Sequence, residues 1–389
     1  MNSELKRAMQ SCSLSFFDKI TISFSKVPNQ IMWSINKWFG FFLSKPQDSK
    51  FRVSFTNSIK LGTNLYFFSS SFCADEKNVY LLQNNTPIAV IPRAFFKDGG
   101  EILVLHPWDP YLNDIINEFI HKLIWSVLLL NITKLNMAFL HASAVSYHGK
   151  GLLFTGWGGI GKTSIMLHFI EEGAKFLSND WSIIDKNGKI YAFPYCILLT
   201  RYNLVEFPNL YRRFKMHPQL MRYMIERKIM TNMSKIGSYF PSKLVKDMAL
   251  RLYILSKKID ESFALELPYQ EILKESQIDY LVPIHTTFLL LASNKKTFEA
   301  YETTEVEIAN RVWPYVKLEL SKSLDPIAYV METAFPEDKW NDIISHVWEE
   351  GKKVIIDALS KRPCYAVCIP KVKSKRSYLK AFKEIIEKC

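Results

Sequence analysis

The chain has 389 residues, more than one ordinary core accommodates, so at least two domains are expected. Apolar residues make up 48% and aromatic residues 14% of it, which excludes global disorder. The 50 Lys and Arg residues outnumber the 38 Asp and Glu residues, and a net charge of +12 favours an anionic ligand or surface without identifying it. The first ten residues are polar and the next apolar run is interrupted by charge, so no secretory signal is predicted and a cytoplasmic location is expected. Six widely spaced cysteines suggest neither a zinc site nor a disulfide framework, and we expect free thiols.

Residues 1–50 form an aromatic and basic N-terminal segment. Within residues 31–43 we expect the aromatic side chains of Trp33, Trp38, Phe41 and Phe42 to pack against the rest of the protein, with shallow insertion into a membrane interface as the alternative. Residues 51–135 predict a β-rich domain in which short strands, separated by Asn and Gly turns, lead to a helix over 110–130. The longest apolar run in that helix, residues 123–130, falls short of the ~20 residues that span a bilayer.

Residues 136–389 are assigned to a third unit. A strand at 139–146, a turn at His148-Gly149 and a returning strand at 151–155 precede a helix over 161–172, and a hairpin follows with Asn187-Gly188 at its turn. Tight hairpins on both sides of the loop predict a mixed or antiparallel sheet, in contrast to an ordinary doubly wound fold. A helical, basic insertion is expected at about 205–275, strands at 280–291 and helices from 336 to 359.

The stretch GWGGIGKT, residues 156–163, matches the phosphate-loop pattern GxxxxGK[ST]. Glycines allow backbone N–H groups to turn toward phosphate oxygens, and the following helix offers unpaired amides at its positive end. Lys162 is expected to reach the β- and γ-phosphates, and the Thr163 hydroxyl to bind Mg²⁺. The predicted nucleotide-binding residues are Gly156, Trp157, Gly158, Gly159, Ile160, Gly161, Lys162, Thr163 and Ser164. The loop therefore predicts a site for a nucleoside triphosphate.

Two residues outside the loop complete the predicted catalytic set with Lys162. Asp180 ends the run after the helix, where it could hold Mg²⁺ or accept a proton from the acceptor, or could merely cap a turn. His141 begins the strand before the loop and could face the phosphates. A buried histidine satisfied by the backbone is the alternative for that position.

The segment from Leu140-His141-Ala142-Ser143 through the loop to Asn179-Asp180 resembles the nucleotide-binding core of the HPr serine kinase family. The resemblance covers residues 136–198 well and the strands after residue 280 loosely. It implies a mixed-sheet α/β (α+β) core of the type shared with phosphoenolpyruvate carboxykinase. Members of this family use ATP or pyrophosphate to phosphorylate a serine or another hydroxyl, so ATP and Mg²⁺ are the implied cofactors.

One position departs from the family pattern. The family has two consecutive aspartates where this chain has Asn179-Asp180, and an asparagine cannot accept a proton in that role. Either Asp180 acts alone with help from His141, or catalysis is weakened. The downstream signature of the enzymes that act on HPr is not found, which favours a relative with a different acceptor.

The segment 212–258 is strongly basic. It contains two acids, Glu226 and Asp247, and twelve basic residues, so it contributes 12 − 2 = +10 of the net charge; the basic residues are at 212, 213, 215, 222, 227, 228, 235, 243, 246, 251, 257 and 258. It could be a solvated helical face, a funnel for an anionic substrate, or a surface for nucleic acid or membrane. The segment follows the nucleotide-binding core directly, where the resembled family places its substrate and oligomer contacts. That position favours the funnel and leaves homo-oligomer formation open. Asn179, Arg212 and Arg213 are the candidate substrate contacts.

The sequence thus predicts an ATP-dependent kinase that transfers the γ-phosphate to a hydroxyl on a small molecule, peptide or protein. The alternative is a nucleotide-binding regulatory module with slow ATPase activity that acts through a partner. Nucleic-acid binding through residues 212–258 is the third hypothesis. The acceptor itself is not identified by the sequence.

Overall fold

The computed structural model describes residues 10–107, 110–239, 243–294, 297–370 and 379–389. The nine N-terminal residues, whose polar character argues against a secretory signal, lie outside this part. The fold is mixed α/β, with 48% helix and 30% strand. This confirms the expected fold class at the level of α+β architecture with mixed sheets.

Nineteen strands are found in the described part of the chain. Those of the N-terminal half are β1 (Gln10–Phe16), β2 (Ile20–Val27), β3 (Leu43–Ser44), β4 (Phe51–Thr56), β5 (Tyr66–Phe67), β6 (Phe72–Ala74), β7 (Asn78–Gln83), β8 (Thr86–Pro92) and β9 (Gly100–Leu105). Those that follow are β10 (Met137–Tyr147), β11 (Lys150–Thr155), β12 (Lys175–Ser178), β13 (Trp181–Asp185), β14 (Lys189–Tyr191), β15 (Ile197–Thr200), β16 (Ala264–Leu267), β17 (Leu281–Ser293), β18 (Glu299–Glu302) and β19 (Cys364–Pro370).

The α-helices are α1 (Asn29–Phe39), α2 (Phe95–Asp98), α3 (Pro110–Ile132), α4 (Lys162–Glu171), α5 (Arg201–Glu206), α6 (Pro208–Phe214), α7 (Pro218–Ser238), α8 (Lys243–Ser262), α9 (Glu305–Ala334), α10 (Trp340–Leu359) and α11 (Leu379–Lys388). Short 3₁₀ turns occur at Gly40–Phe42, Thr133–Leu135, Tyr269–Glu271, Glu275–Gln277 and Pro336–Asp338.

The first sheet has nine strands in the order β3-β1-β2-β4-β9-β8-β7-β6-β5. Its pairs β2–β4 and β4–β9 are parallel, and the remaining pairs are antiparallel. Strands β1 to β3 belong to this sheet, so residues 10–44 share one hydrogen-bonded unit with residues 51–105. Of the four aromatic side chains expected to pack inward, Phe42 is buried and Trp38 and Phe41 are half-buried, whereas Trp33 is 66% exposed.

The second sheet is built around β10 and β17, two long strands that each pair with different neighbours along their length. Successive pairings link β10, β11, β17, β14 and β13 in a ring, in which only β11–β17 is parallel. Strand β19 extends this sheet parallel to β17, and β18 extends it further. The prediction of a mixed sheet around the loop is therefore confirmed.

Both faces of the second sheet are covered, which explains the continuous apolar runs of its strands. On β11, Leu152 and Phe154 point into a cluster with α4 and α11, whereas Leu153 points into the core shared with α3, α9 and α10. Phe154 stacks on Phe288 of β17 with ring centroids 5.4 Å apart. The strand that leads into the glycine loop is thus fixed from both sides.

Within the described ranges, one helix, with the 3₁₀ turn that follows it, is long and apolar enough to cross a membrane: residues 110–135, with a mean hydropathy of 1.4. It is longer than the apolar run at 123–130 suggests, but 61% of its apolar window is buried inside the protein. Leu123, Val127 and Leu128 are fully enclosed in the main core. The packing is that of a core helix in a folded domain.

The helical insertion spans residues 201–262, a narrower range than the predicted 205–275 at its C-terminal end. It begins and ends in the two-stranded ribbon of β15 and β16, so β16 and two 3₁₀ turns replace the expected helix after residue 262. The strand expected at 280–291 is confirmed as β17, and α10 confirms the C-terminal helix. Helix α9 was not predicted, because Pro314 and Pro326 lie inside it.

Candidate active site

The glycine loop, residues 156–161, connects the end of β11 to the first residue of α4. Gly161 precedes the helix in a left-handed conformation at φ 102°, and Gly156 has φ 146°. Trp157, Gly158 and Gly159 are exposed, whereas Gly156 is buried. A strand, a glycine loop and a helix N-terminus therefore occur in the order that phosphate binding requires.

Gly156 tolerates no side chain. A Cβ added there would lie 2.6 Å from the carbonyl oxygen of Leu290, which belongs to the backbone of β17. We expect Gly156→Ala to lower the free energy of unfolding by about 1–3 kcal/mol, because both the dihedral angle and this contact are unfavourable. Urea denaturation measures the change.

Gly159→Ala is the matched control for Gly156→Ala. Gly159 also has a positive φ, 74°, but an added Cβ would meet nothing within 4 Å. Its substitution is expected to cost less than that of Gly156. Equal losses in the two variants would contradict the steric argument.

Lys162 is the first residue of α4 and is only 4% exposed. Its Nζ donates hydrogen bonds to the carbonyl oxygens of Gly156, at 3.0 Å, and Trp157, at 3.1 Å. Burial lowers the pKa of Lys162 to about 8, and the nearby Asp180 carboxylate opposes that shift. The ammonium group therefore lies against the loop. A polyphosphate bound there would stabilise its positive charge.

Asn179 and Asp180 form the turn between β12 and β13 beside the helix N-terminus. Asn179 is fully buried, and its Oδ1 accepts hydrogen bonds from Thr163 Oγ1 at 2.9 Å and from Ser143 Oγ at 3.1 Å. Asp180 has a left-handed backbone, with φ 61°. Burial raises the pKa of its carboxyl group, and Lys162 counteracts this effect. The structure thus brings Lys162, Thr163, Asn179 and Asp180 together.

His141 lies on β10 directly behind the loop. Its Nδ1 is 3.1 Å from the carbonyl oxygen of Gly156, so the neutral ring donates a hydrogen bond there. Burial and the charge of Lys162 lower the pKa of His141 to about 3. A histidine with so low a pKa is a weak base, and this geometry favours the backbone-satisfied alternative, in which His141 holds Gly156 in place.

Ser164, the last predicted loop residue, is held from the opposite side. It is 4% exposed, and its Oγ accepts a hydrogen bond from Asn203 Nδ2 of α5 at 2.8 Å. The predicted substrate residues Arg212 and Arg213 lie on α6 instead. Arg212 donates a hydrogen bond to Asn209 Oδ1 at 2.6 Å, within the insertion. Arg213 donates one to the carbonyl oxygen of Ile272 at 3.5 Å, in the segment after β16.

Sequence reasoning missed three neighbours of the site. Tyr315 of α9 lies against His141, with centroids 4.3 Å apart, and against Trp157 at 5.5 Å. Glu266 of β16 accepts a weak hydrogen bond from Cys196 at 3.9 Å, and burial raises the pKa of Glu266. Lys37 of α1 lowers that pKa and Asp180 raises it, so the three charges lie within electrostatic range of one another. Their sequence positions give no signal, because they come from three elements far apart in the chain.

No protein-family model matches the chain, and no curated protein sequence matches it.

Proposed function

We propose that the protein is a phosphotransferase that binds Mg²⁺ and ATP at the glycine loop and transfers the γ-phosphoryl group to a hydroxyl. The observation that carries the proposal is the convergence of Lys162 and Asp180 at the N-terminus of α4, next to the Thr163 hydroxyl. A cation, a carboxylate and a set of free helix amides at one place are the parts that phosphoryl transfer uses.

The residues present fit a magnesium–triphosphate group. Among the described residues there is no cluster of three or more His, Cys, Asp or Glu side chains that could hold a metal alone. Magnesium in phosphoryl-transfer sites is held by one or two carboxylates together with substrate phosphates. Thr163, Asn179 and Asp180 offer the hard oxygen donors that this coordination needs. Bound Mg²⁺ would neutralise negative charge on the β- and γ-phosphates.

The roles of the protein side chains follow from their positions. Lys162 turns from the carbonyl oxygens of Gly156 and Trp157 toward the phosphates, where its charge is better compensated. The amides of the loop and of the first turn of α4 donate to phosphate oxygens. Asp180 holds the metal or accepts the proton of the attacking hydroxyl, and His141 keeps Gly156 in position. Positioning and charge neutralisation supply most of the rate in such a reaction.

The acceptor is expected on the side of Asp180 that faces Glu266 and Lys37. These two side chains offer one negative and one positive group within electrostatic range of the proposed catalytic carboxylate. A hydroxyl compound with an ionic group of its own would be oriented there. The experiment is to titrate Mg·ATP by calorimetry and then to screen hydroxyl compounds for acceptor-dependent ADP release.

The two main hypotheses differ in that assay. ADP released in proportion to an added acceptor supports transfer, whereas slow release that no acceptor stimulates supports the regulatory module. Asn179 favours the regulatory module, because it stands where the resembled kinase family has the first of two consecutive aspartates, so one carboxylate is absent. Failure to bind Mg·ATP would contradict both.

Replacement of Asn179 by aspartate should leave the protein active or make it faster. An aspartate can accept the same hydrogen bonds from Thr163 and Ser143, and it restores two adjacent carboxylates. Asn179→Ala is the matched control, since it removes both hydrogen bonds and should slow turnover. Single-turnover transfer measures both variants, and an inactive Asn179→Asp protein with a normal fold would contradict the expected role of this position.

A further inference from the structure

A cleft of about 500 Å³ lies between α5, α6 and α7. Its volume falls within the range of roughly 300–1,000 Å³ that is usual for small-molecule sites. The apolar part of its wall consists of Leu204, Val205, Leu220 and Met224. The polar part includes Arg201, Tyr223, Arg227 and Lys228.

The charges at the cleft are unbalanced. Asp260 of α8, which is 8% exposed, accepts hydrogen bonds from Arg201 and from Tyr223 Oη at 2.5 Å, and it forms an ion pair with Arg227, whose Nε lies 2.7 Å from Oδ1. A single carboxylate therefore pairs with two guanidinium groups, and each of these groups has further N–H donors. Lys228 has no ion pair among the residues that the structure describes. Three cations facing one carboxylate leave the cleft suited to an anion.

Helix α5 connects this cleft to the glycine loop. Arg201 at its start lines the cleft, while Asn203 donates to Ser164 in the first turn of α4 at 2.8 Å. Glu206 at its end lies 2.9 Å from His168 Nε2 of α4, and both of these side chains are buried. One side of α5 thus lines the cleft. The same helix forms two buried hydrogen bonds with α4, which begins at Lys162.

The position of α5 also decides between an acceptor site and a separate site. Asn203 and Leu204 are each 4% exposed and fill the space between the cleft and α4. A ligand in the cleft would be separated from the phosphates by this helix. The cleft is therefore suited to a ligand that acts on the loop without taking part in the reaction.

We propose that this cleft binds a small organic anion with an apolar body, and that its occupation orders α4 through α5. The anionic group pairs with Lys228 and the spare N–H donors of Arg201 and Arg227. The apolar body packs on Leu204, Val205, Leu220 and Met224. A carboxylate and a phosphate ester share this chemistry, so the class is defined by charge and shape.

Phenylacetate is the probe for the binding step, measured by calorimetry in the Lys162→Ala protein so that the glycine loop does not contribute. Lys228→Gln is expected to weaken binding about tenfold, as loss of one charged contact does. Lys257→Gln, which makes the same charge change on α8 at a residue that stacks over Tyr253, is the matched control and should leave binding unchanged. Absence of binding, or equal weakening by both variants, would overturn the proposal.

Hydrogen exchange tests the connection to α4 without relying on nucleotide binding. Phenylacetate is expected to slow amide exchange in residues 162–171 as well as in residues 218–232. Ser164→Ala removes one of the two hydrogen bonds between α5 and α4 and leaves the cleft intact, so it should reduce the slowing in 162–171 and leave that in 218–232 unchanged. Slowing confined to 218–232 in the unsubstituted protein would overturn the connection.

Discussion

Asp180→Asn is expected to abolish phosphoryl transfer in a protein that still folds. The substitution keeps the size of the side chain, and asparagine is favoured at a left-handed position such as φ 61°. It removes the carboxylate that we assign to the metal or to the acceptor's proton. General-base catalysis alone accounts for about 10²–10⁴-fold in rate, and loss of metal binding would add to that. Single-turnover transfer with saturating Mg·ATP measures the effect.

Asp185→Asn is the control for Asp180→Asn. Asp185 ends β13, the strand that begins directly after Asp180, but its carboxylate accepts hydrogen bonds from the amides of Asn187 and Lys189, each at 3.0 Å. Its substitution should lower stability and leave turnover per folded molecule unchanged. Near-native turnover of Asp180→Asn would refute the catalytic assignment and favour the regulatory module.

The local architecture of the loop could be read from the sequence because its signals are short-range. Gly149 and Gly188 lie in tight turns, and Gly173 follows the last turn of α4 with φ 91°. These turns predict hairpins on both sides of the helix, and the hairpins predict a mixed sheet. The proximity of Asp180 to Lys162 also follows, because β12 returns beside β10, which pairs with the strand that leads into the loop.

Contacts between distant elements could not be read in this way. Tyr315 reaches His141 only because α9 continues through Pro314, which a pattern-based reading takes as a helix end. Lys37 comes near Glu266 because its neighbour Trp38 stacks on Tyr195, in the segment between β14 and β15, with ring centroids 5.6 Å apart. Periodicity along one element says nothing about such packing.

The net charge of the insertion could be counted from the sequence, but its ion pairs could not. The sequence counts twelve basic residues in 212–258, but the acid that pairs with two of the arginines at the cleft, Asp260, lies just outside that range. Arg222 is likewise paired with Glu226, with Nε 2.7 Å from Oε1. Composition thus gives the sign of the net surface charge, whereas ion pairing in the folded protein decides which cations face a ligand.

Lys162→Ala is expected to weaken ATP binding by roughly ten- to hundred-fold. The lysine is the single side-chain cation of the predicted loop, and loss of one charge-assisted contact is worth about 1.5–3 kcal/mol. Turnover should fall as well, since negative charge on the γ-phosphate develops during transfer. Calorimetric titration of the folded variant measures the affinity. Unchanged affinity and turnover would contradict the phosphate-loop assignment.

The pH dependence of ATP affinity separates a direct role of Lys162 from a structural one. With a pKa of about 8 in the nucleotide-free protein, Lys162 is protonated at lower pH, and affinity should be flat there. Above pH 8 the free lysine is neutral, whereas phosphate contact raises its pKa, so binding must take up a proton. Affinity is therefore expected to fall by up to about tenfold for each pH unit above that value. Lys162→Arg should bind without this fall, because a guanidinium stays charged throughout the range. A native protein whose ATP affinity is constant through this region would show that Lys162 keeps its bonds to Gly156 and Trp157 and does not meet the phosphates.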